Sequence, residues 1–265
     1  YNVICLEKAV FGTFAVFTSM MSNCVRLALI NNHLCPERAG FFIMLASHDG
    51  PETGEDGPTH QGLYWMSNFM AYPGIKVYKP FDANETIEML FYALTKGEPI
   101  ALSVSRPNSL VLKRGDGVPP AIEAINGSYV YKSFSNIGNQ KKILVISGSQ
   151  ILLNVLEILP KLEKHGIDVK IINVTSPELF EELRKNNPQK ALEILSDEER
   201  PLVITLHNGW KGWLDSFMLP ADHENRRIGV DTYLKSGNIE EIYEVAELTS
   251  DNIFAKILKN VHIHS

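Results

Sequence analysis

From about Val10 to Ser105, short apolar runs alternate with stretches of helical spacing, the pattern of parallel strands joined by crossover helices. Phe41 to Ala46, Ile75 to Tyr78 and Ile100 to Val104 each read as buried strands. Gly12 to Ile30 places Phe14, Phe17, Met21, Cys24, Val25 and Ala28 on one helical face. Asp82 has Glu85 three residues on, an arrangement that caps a helix start, and the segment then sets Ile87, Leu90, Phe91 and Leu94 on a single apolar stripe. Arg106 to Gln140 breaks the rhythm with Pro107, Gly115, Gly117, Pro119, Pro120, Gly127 and Gly138, and reads as a linker with one strand at Ser128 to Lys132. A second alternating unit follows. Lys142 to Ile146 is a strand, Ser149 to His165 a helix stopped by Gly166, Val169 to Val174 a strand, and Pro177 opens another helix. Leu202 to Leu206 adds a strand, and Trp210 to Phe217 and Ser250 to Lys259 read as helices.

No fixed-period repeat is present, which removes a solenoid. The expectation is an α/β protein of two domains, each with a mostly parallel sheet covered on both faces: residues 1–115, a linker over 116–140, and residues 141–265.

Composition narrows the function classes. The 265 residues carry 25 Lys plus Arg against 31 Asp plus Glu, a formal net charge of −6, so the chain as a whole has no electrostatic footprint for nucleic acid. With 45% hydrophobic and 21% charged residues there is enough apolar side chain for one core or two, and disorder is excluded as the dominant state. No apolar run approaches the roughly 18 residues of a membrane helix, and the start at Tyr1 lacks the basic flank and apolar stretch of a secretion signal. A cytoplasmic protein with neither membrane nor nucleic-acid partners is expected. Cys5, Cys24 and Cys35 are odd in number and lack the paired spacing of zinc or redox sites, so they are expected to be reduced.

One segment concentrates polar chemistry where open α/β sheets collect ligands, at a strand's carboxyl end. After Phe41 to Ala46 come Ser47, His48 and Asp49, then GPETGEDGPTHQ from Gly50 to Gln61. Two imidazoles and four carboxylates in so short a stretch are either solvated, with His48 capping a carbonyl, or used.

The order of residues favours use. GEDGPTHQ from Gly54 to Gln61, preceded by His48 and Asp49, resembles the signature of the transketolase pyrimidine-binding domain. GTFAVF from Gly12 to Phe17, PGIKVYKPFDANE from Pro73 to Glu85 and SRPN from Ser105 to Asn108 are similar to further family segments in the family's order. Residues 140 to 260 fit the family's C-terminal domain in pattern only. The resemblance implies a thiamine-diphosphate-binding, pyrimidine-type parallel sheet followed by that C-terminal α/β domain. It also implies thiamine diphosphate with magnesium as cofactor, phosphorylated sugars as substrates, transfer of a two-carbon ketol unit, and a homodimer. Phe17, with Phe14 beside it, would stack on the aminopyrimidine; the alternative places both in the core. His60 would act in catalysis as a proton-transfer or polarising group, His48 would lie near the sugar phosphate, Asp56 would accept from a donor hydroxyl, and Arg106 would clamp a phosphate.

Departures from the family matter as much. Met20 replaces a third aromatic, Pro107 replaces a glutamine, and Glu7 lies too close to Phe14 to be the family's activating glutamate. Gly115, Asp116 and Gly117 spell the family's diphosphate motif, yet they precede Pro119 and Pro120 with no strand before and no helix after, and read as a turn. Ser147 to Ser149 reads either as a plain strand-to-helix turn or as an anion-binding helix start, and His207, Asn208, Trp210 and Trp213 as core or contact residues. The chain is therefore expected to be the C-terminal portion of a transketolase. Its diphosphate-binding half would come from a lost N-terminal segment or a partner subunit, and its own cofactor binding would be weak or absent. The alternative is a non-catalytic dimerisation or interaction module on the same scaffold.

Overall fold

The computed structural model describes residues 42–136, 138 and 140–262, together with helical residues at 26, 29, 30, 33 and 34. Glu7, Phe14, Phe17, Met20 and the three cysteines lie outside the described residues. Two sheets form. The first joins β1 (Ile43–Ala46), β2 (Lys76–Tyr78) and β3 (Ile100–Ser103), all parallel, in the order β1-β3-β2. The second joins β4 (Ser128–Lys132), β5 (Gln140–Ser147), β6 (Ile167–Val174), β7 (Val203–Trp210) and β8 (Arg227–Val230) in the order β4-β6-β5-β7-β8, parallel except for β4 on β6. Ile143 to Ile146 at the centre is an unbroken apolar run with no solvent exposure, as a sheet covered on both faces requires. Among the described residues no helix is long and apolar enough to cross a membrane.

Helices α1 (Trp65–Met70) and α2 (Ala83–Lys96) belong to the first sheet. The second carries α3 (Ser149–Lys164), α4 (Pro177–Asn186), α5 (Pro188–Ile194), α6 (Ile239–Val245) and α7 (Ser250–His262). Trp210 to Phe217, expected as a helix, ends β7 and then forms a 3-10 turn from Lys211 to Phe217.

Helix α2 begins as its sequence dictates: the Asp82 carboxylate accepts from the Glu85 N–H at 3.1 Å, and Gly97 ends the helix at φ 65°. Its buried face, however, is Glu85, Met89 and Ala93, while Ile87 and Phe91 of the apolar stripe stand 65% and 66% exposed. A polar cluster selects that face. Glu85 turns inward to accept from the Phe81 N–H at 2.8 Å and from the Tyr129 hydroxyl, and Arg114 bridges Asp82 at 2.5 Å and Glu85 at 3.5 Å. Arg114 and Tyr129 arrive from other parts of the chain, so no spacing within α2 encodes the choice.

The span read as a linker contributes to the packed body. Its 3-10 helix Ala121–Asn126 precedes β4, which is the antiparallel edge strand of the second sheet. The two sheets are joined by two hydrophobic clusters: Tyr78, Phe81, Met89 and Ile100 pack with Leu144, Ile146, Ile151 and Leu206, and Met44, Val77 and Ala101 with Ile143, Val145 and Val203.

Lys76 reaches Glu182 at 2.7 Å and also meets Glu98, and the Val77 N–H donates to Glu178 Oε1 at 3.2 Å. Burial lifts the Glu178 carboxyl to about 7. The folded state therefore holds this proton after the unfolded chain, near 4.5, has released it, so stability falls as pH rises between those values. Glu178→Gln should abolish that fall, gaining about 3 kcal/mol on the wild type between pH 4.5 and 7.5. Urea melts of both proteins across this range test it, and parallel curves would refute it.

Candidate functional site

The loop of residues 47–61 leaves the carboxyl end of β1, and Arg106 follows β3, which pairs with β1 through Ala46 and Ser103. The loop's neck is the Gly50–Gly62 bridge, in which the Gly62 N–H donates to the Gly50 carbonyl at 3.0 Å. A 3-10 turn over Gly54–Asp56 and Gly57 at φ 71° fold its tip back, and the His60 N–H then donates to the Gly57 carbonyl at 3.0 Å.

This folding brings His48 and His60 together, with ring centroids 5.6 Å apart and planes 43° apart. His60 Nδ1 lies 2.9 Å from the Thr59 hydroxyl, and His48 Nδ1 lies 3.4 Å from the Ser47 hydroxyl. Asp56 and Arg106 also meet, as an ion pair, and Arg106 donates to the Thr53 carbonyl at 3.4 Å. They line an open cavity of about 400 Å³ with Thr53, Glu55, Asn238 and Glu240, and the two histidines are not in its wall. The pair uses Arg106 Nη1 and Asp56 Oδ2, which leaves Nε, Nη2 and Oδ1 to face a ligand's anionic and hydroxyl groups. The described site residues form two pairs, one of imidazoles and one of opposite charges. Phe14 and Phe17 lie outside the described residues.

The four carboxylates of the loop divide. Glu55 and Asp56 are exposed, whereas Asp49 and Glu52 are 5% exposed and hydrogen-bonded. Lys79 Nζ lies 2.6 and 2.5 Å from the two Asp49 oxygens and 2.6 Å from Asn208 Oδ1. Asn208 Nδ2 donates to Glu52 Oε1 at 3.1 Å, and the Tyr243 hydroxyl donates to the same oxygen. Burial first, and the Asp49 charge second, push the Glu52 carboxyl upward. Sequence reading named none of Lys79, Asn208 and Tyr243 as a partner of this loop. The available signal was Lys79 itself, a cation directly after β2 at the sheet's carboxyl edge.

The remaining motifs make contacts within the fold. The Ser147 hydroxyl donates to the Val174 carbonyl at 2.8 Å and that of Ser149 to the Phe81 carbonyl at 2.5 Å, so both serines of the strand-to-helix turn are occupied. Gly115 and Val118 close a turn on each other at 3.1 and 3.0 Å, with Asp116 at φ 52°. His207 is buried, stacks on Trp213 at 4.8 Å and pairs Nδ1 with the Trp210 carbonyl at 3.0 Å. Burial and nearby Lys79 hold it neutral.

Comparison with known proteins agrees with this layout. Residues 6–110 match the family model described as transketolase, pyrimidine binding domain, and residues 127–249 match the transketolase-like TK C-terminal domain. The transketolase of Kluyveromyces lactis is 27% identical over 254 residues, covering 96% of this chain and 34% of the relative. Transketolase 2 of Saccharomyces cerevisiae is 25% identical over the same shares. The chain thus spans about a third of the length of the curated relatives it matches. Among solved structures, the transketolase of Campylobacter jejuni superposes with a TM-score of 0.71 at 22% identity, over 93% of this chain and 35% of that one. A split-gene transketolase, solved as an inactive beta4 tetramer, superposes with a TM-score of 0.64 at 17% identity, over 98% of this chain and 78% of that one. Two domain models of one enzyme, matched in order across nearly the whole sequence, show that the chain belongs to the transketolase family.

Proposed function

We propose that this chain supplies the sugar-binding side of a site for two-carbon ketol transfer between sugar phosphates, and that residues outside this sequence supply the diphosphate-binding side. The observation that carries the reading is the fold of one family string, GEDGPTHQ, which sets His60 against His48 and meets Arg106 with Asp56 at the edge of a cavity. Arg106 binds the substrate phosphate in that cavity, and His48, outside the cavity wall, faces the phosphorylated sugar from the imidazole pair. Asp56 accepts from a sugar hydroxyl. His60, held through Nδ1 near Thr59, polarises or exchanges a proton with a substrate oxygen.

Thiamine diphosphate supplies the carbanion chemistry of such transfers when bound. The diphosphate triplet spelled by Gly115 to Gly117 forms a closed exposed turn that does not open a helix, so it does not fit the diphosphate end. A separate subunit carrying that end accords with the split-gene relative, and a lost N-terminal domain with relatives about three times longer. The alternative, a non-catalytic interaction module, draws on Ile87 and Phe91 exposed along α2.

In enzyme assembled with a diphosphate-binding half, Arg106→Ala should raise KM for a phosphorylated donor by about 10-fold to 100-fold, the loss of one charge-assisted contact of 1.5–3 kcal/mol. An unphosphorylated donor should be unaffected. His60→Ala should lower kcat by about 10²-fold to 10⁴-fold. Equal effects of Arg106→Ala on both donors would remove the phosphate role. A dimer that never binds sugar phosphate would favour the interaction module.

A further inference from the structure

The loop that carries His48, Asp56 and His60 begins on the first sheet, yet its interior is gripped by the second. At its start, Asn208 from the end of β7 and Tyr243 from α6 converge on Glu52, and Asn208 also joins the Lys79–Asp49 pair. At its end, Gln61 Oε1 accepts from the Leu234 N–H at 2.8 Å, and its Nε2 donates to the carbonyls of Leu234 at 3.2 Å and Lys235 at 3.4 Å. Between them the Gly237 N–H reaches the Gly54 carbonyl at 3.5 Å. The fit is close: a Cβ added at Gly50, which sits at φ +60°, would lie 2.8 Å from Asn208 Nδ2.

We infer that Glu52, Asn208 and Tyr243 are positioning residues, through which the C-terminal domain sets the shape of the histidine-bearing loop. The charges suit a permanent clamp. One buried cation, Lys79, is taken by Asp49, and Glu52 is reached by neutral donors only. Burial favours its protonated form. Glutamine reproduces the shape and neutrality of that form and keeps an acceptor for both donors. Alanine removes the acceptor altogether.

This inference rests on the reading of the loop as the sugar site, so its test uses a separate readout. In the full chain, hydrogen exchange is followed at the amides of Gly57, His60 and Gly62, three of the loop's internal donors. Glu52→Ala and Tyr243→Phe should speed exchange at these three amides by about tenfold and move the imidazole resonances of His48 and His60. Core amides of β5 and β6 should keep their protection. Glu52→Gln should match the wild type. In assembled enzyme, the first two variants should lower kcat/KM with either donor and Glu52→Gln should not. Unchanged exchange in Tyr243→Phe, or acceleration spread evenly over loop and core, would overturn the clamp. Should Glu52→Ala not fold, Tyr243→Phe and Glu52→Gln decide the matter. If the loop loosens as described while Arg106→Ala treats both donors alike, the sugar-site reading fails and the clamp stands.

Discussion

Lys79→Met is expected to cost about 3–5 kcal/mol of folding stability, the penalty for stranding a buried charge whose partner has been removed. Lys79 is 2% exposed, and its ammonium contacts both Asp49 oxygens and Asn208 Oδ1. A methionine fills similar volume but leaves Asp49 without a counter-charge and Asn208 without its donor, beside a second carboxyl, Glu52. The double variant Asp49→Asn with Lys79→Met should recover much of the loss, because no net charge then remains on that pair. Urea titration of wild type, both single variants and the double variant measures the cycle. A loss under 1 kcal/mol for Lys79→Met would mean that water reaches the pair.

Gly62→Ala is expected to break the neck of the loop. An added Cβ would lie 1.8 Å from the His48 carbonyl oxygen and 2.9 Å from the Trp65 ring, and the first of these is backbone that cannot swing aside. Either the Gly50–Gly62 bridge opens or the chain at His48 is displaced, at a cost of about 3 kcal/mol, the upper range for overfilling a packed site. The His48–His60 apposition should be lost with it. Gly74→Ala is the control: its φ is +82°, yet nothing lies within 4 Å of the added atom, so only the strain of that conformation, about 1 kcal/mol, is expected. Thermal melts together with imidazole resonances separate the two, and equal small losses would show that the neck can yield.

The fold was legible where its causes are local. Buried apolar runs marked β1, β2, β3, β5, β6 and β7 to within a few residues, and Asp82 and Pro177 open helices and Gly166 follows one where local rules place them. Legibility ended where partners come from afar. Helix α2 turned Ile87 and Phe91 outward because Tyr129, 44 positions away, fixed Glu85 inside. The strand at Ser128 to Lys132 was visible as a strand, but its antiparallel place beside β6 was not, since register with Val174 and Ile172 leaves no mark in its own five residues. The site shows the same division. His48, Asp56 and His60 were named from one contiguous string, and Arg106 from a second. Asn208 and Tyr243, 156 and 191 positions from Glu52, carry no periodicity or motif that joins them to it.

The Lys79–Asn208–Glu52–Tyr243 chain of bonds has a practical corollary for anyone cutting or recombining this molecule. The proline-rich stretch invites scissors, yet severing there would uncover a lysine and two acids that are buried in the intact protein. Grafting the front piece onto a foreign rear piece would likewise need an amide and a phenol transplanted to matching spots. Modularity in the gene is thus no guide to modularity in the molecule.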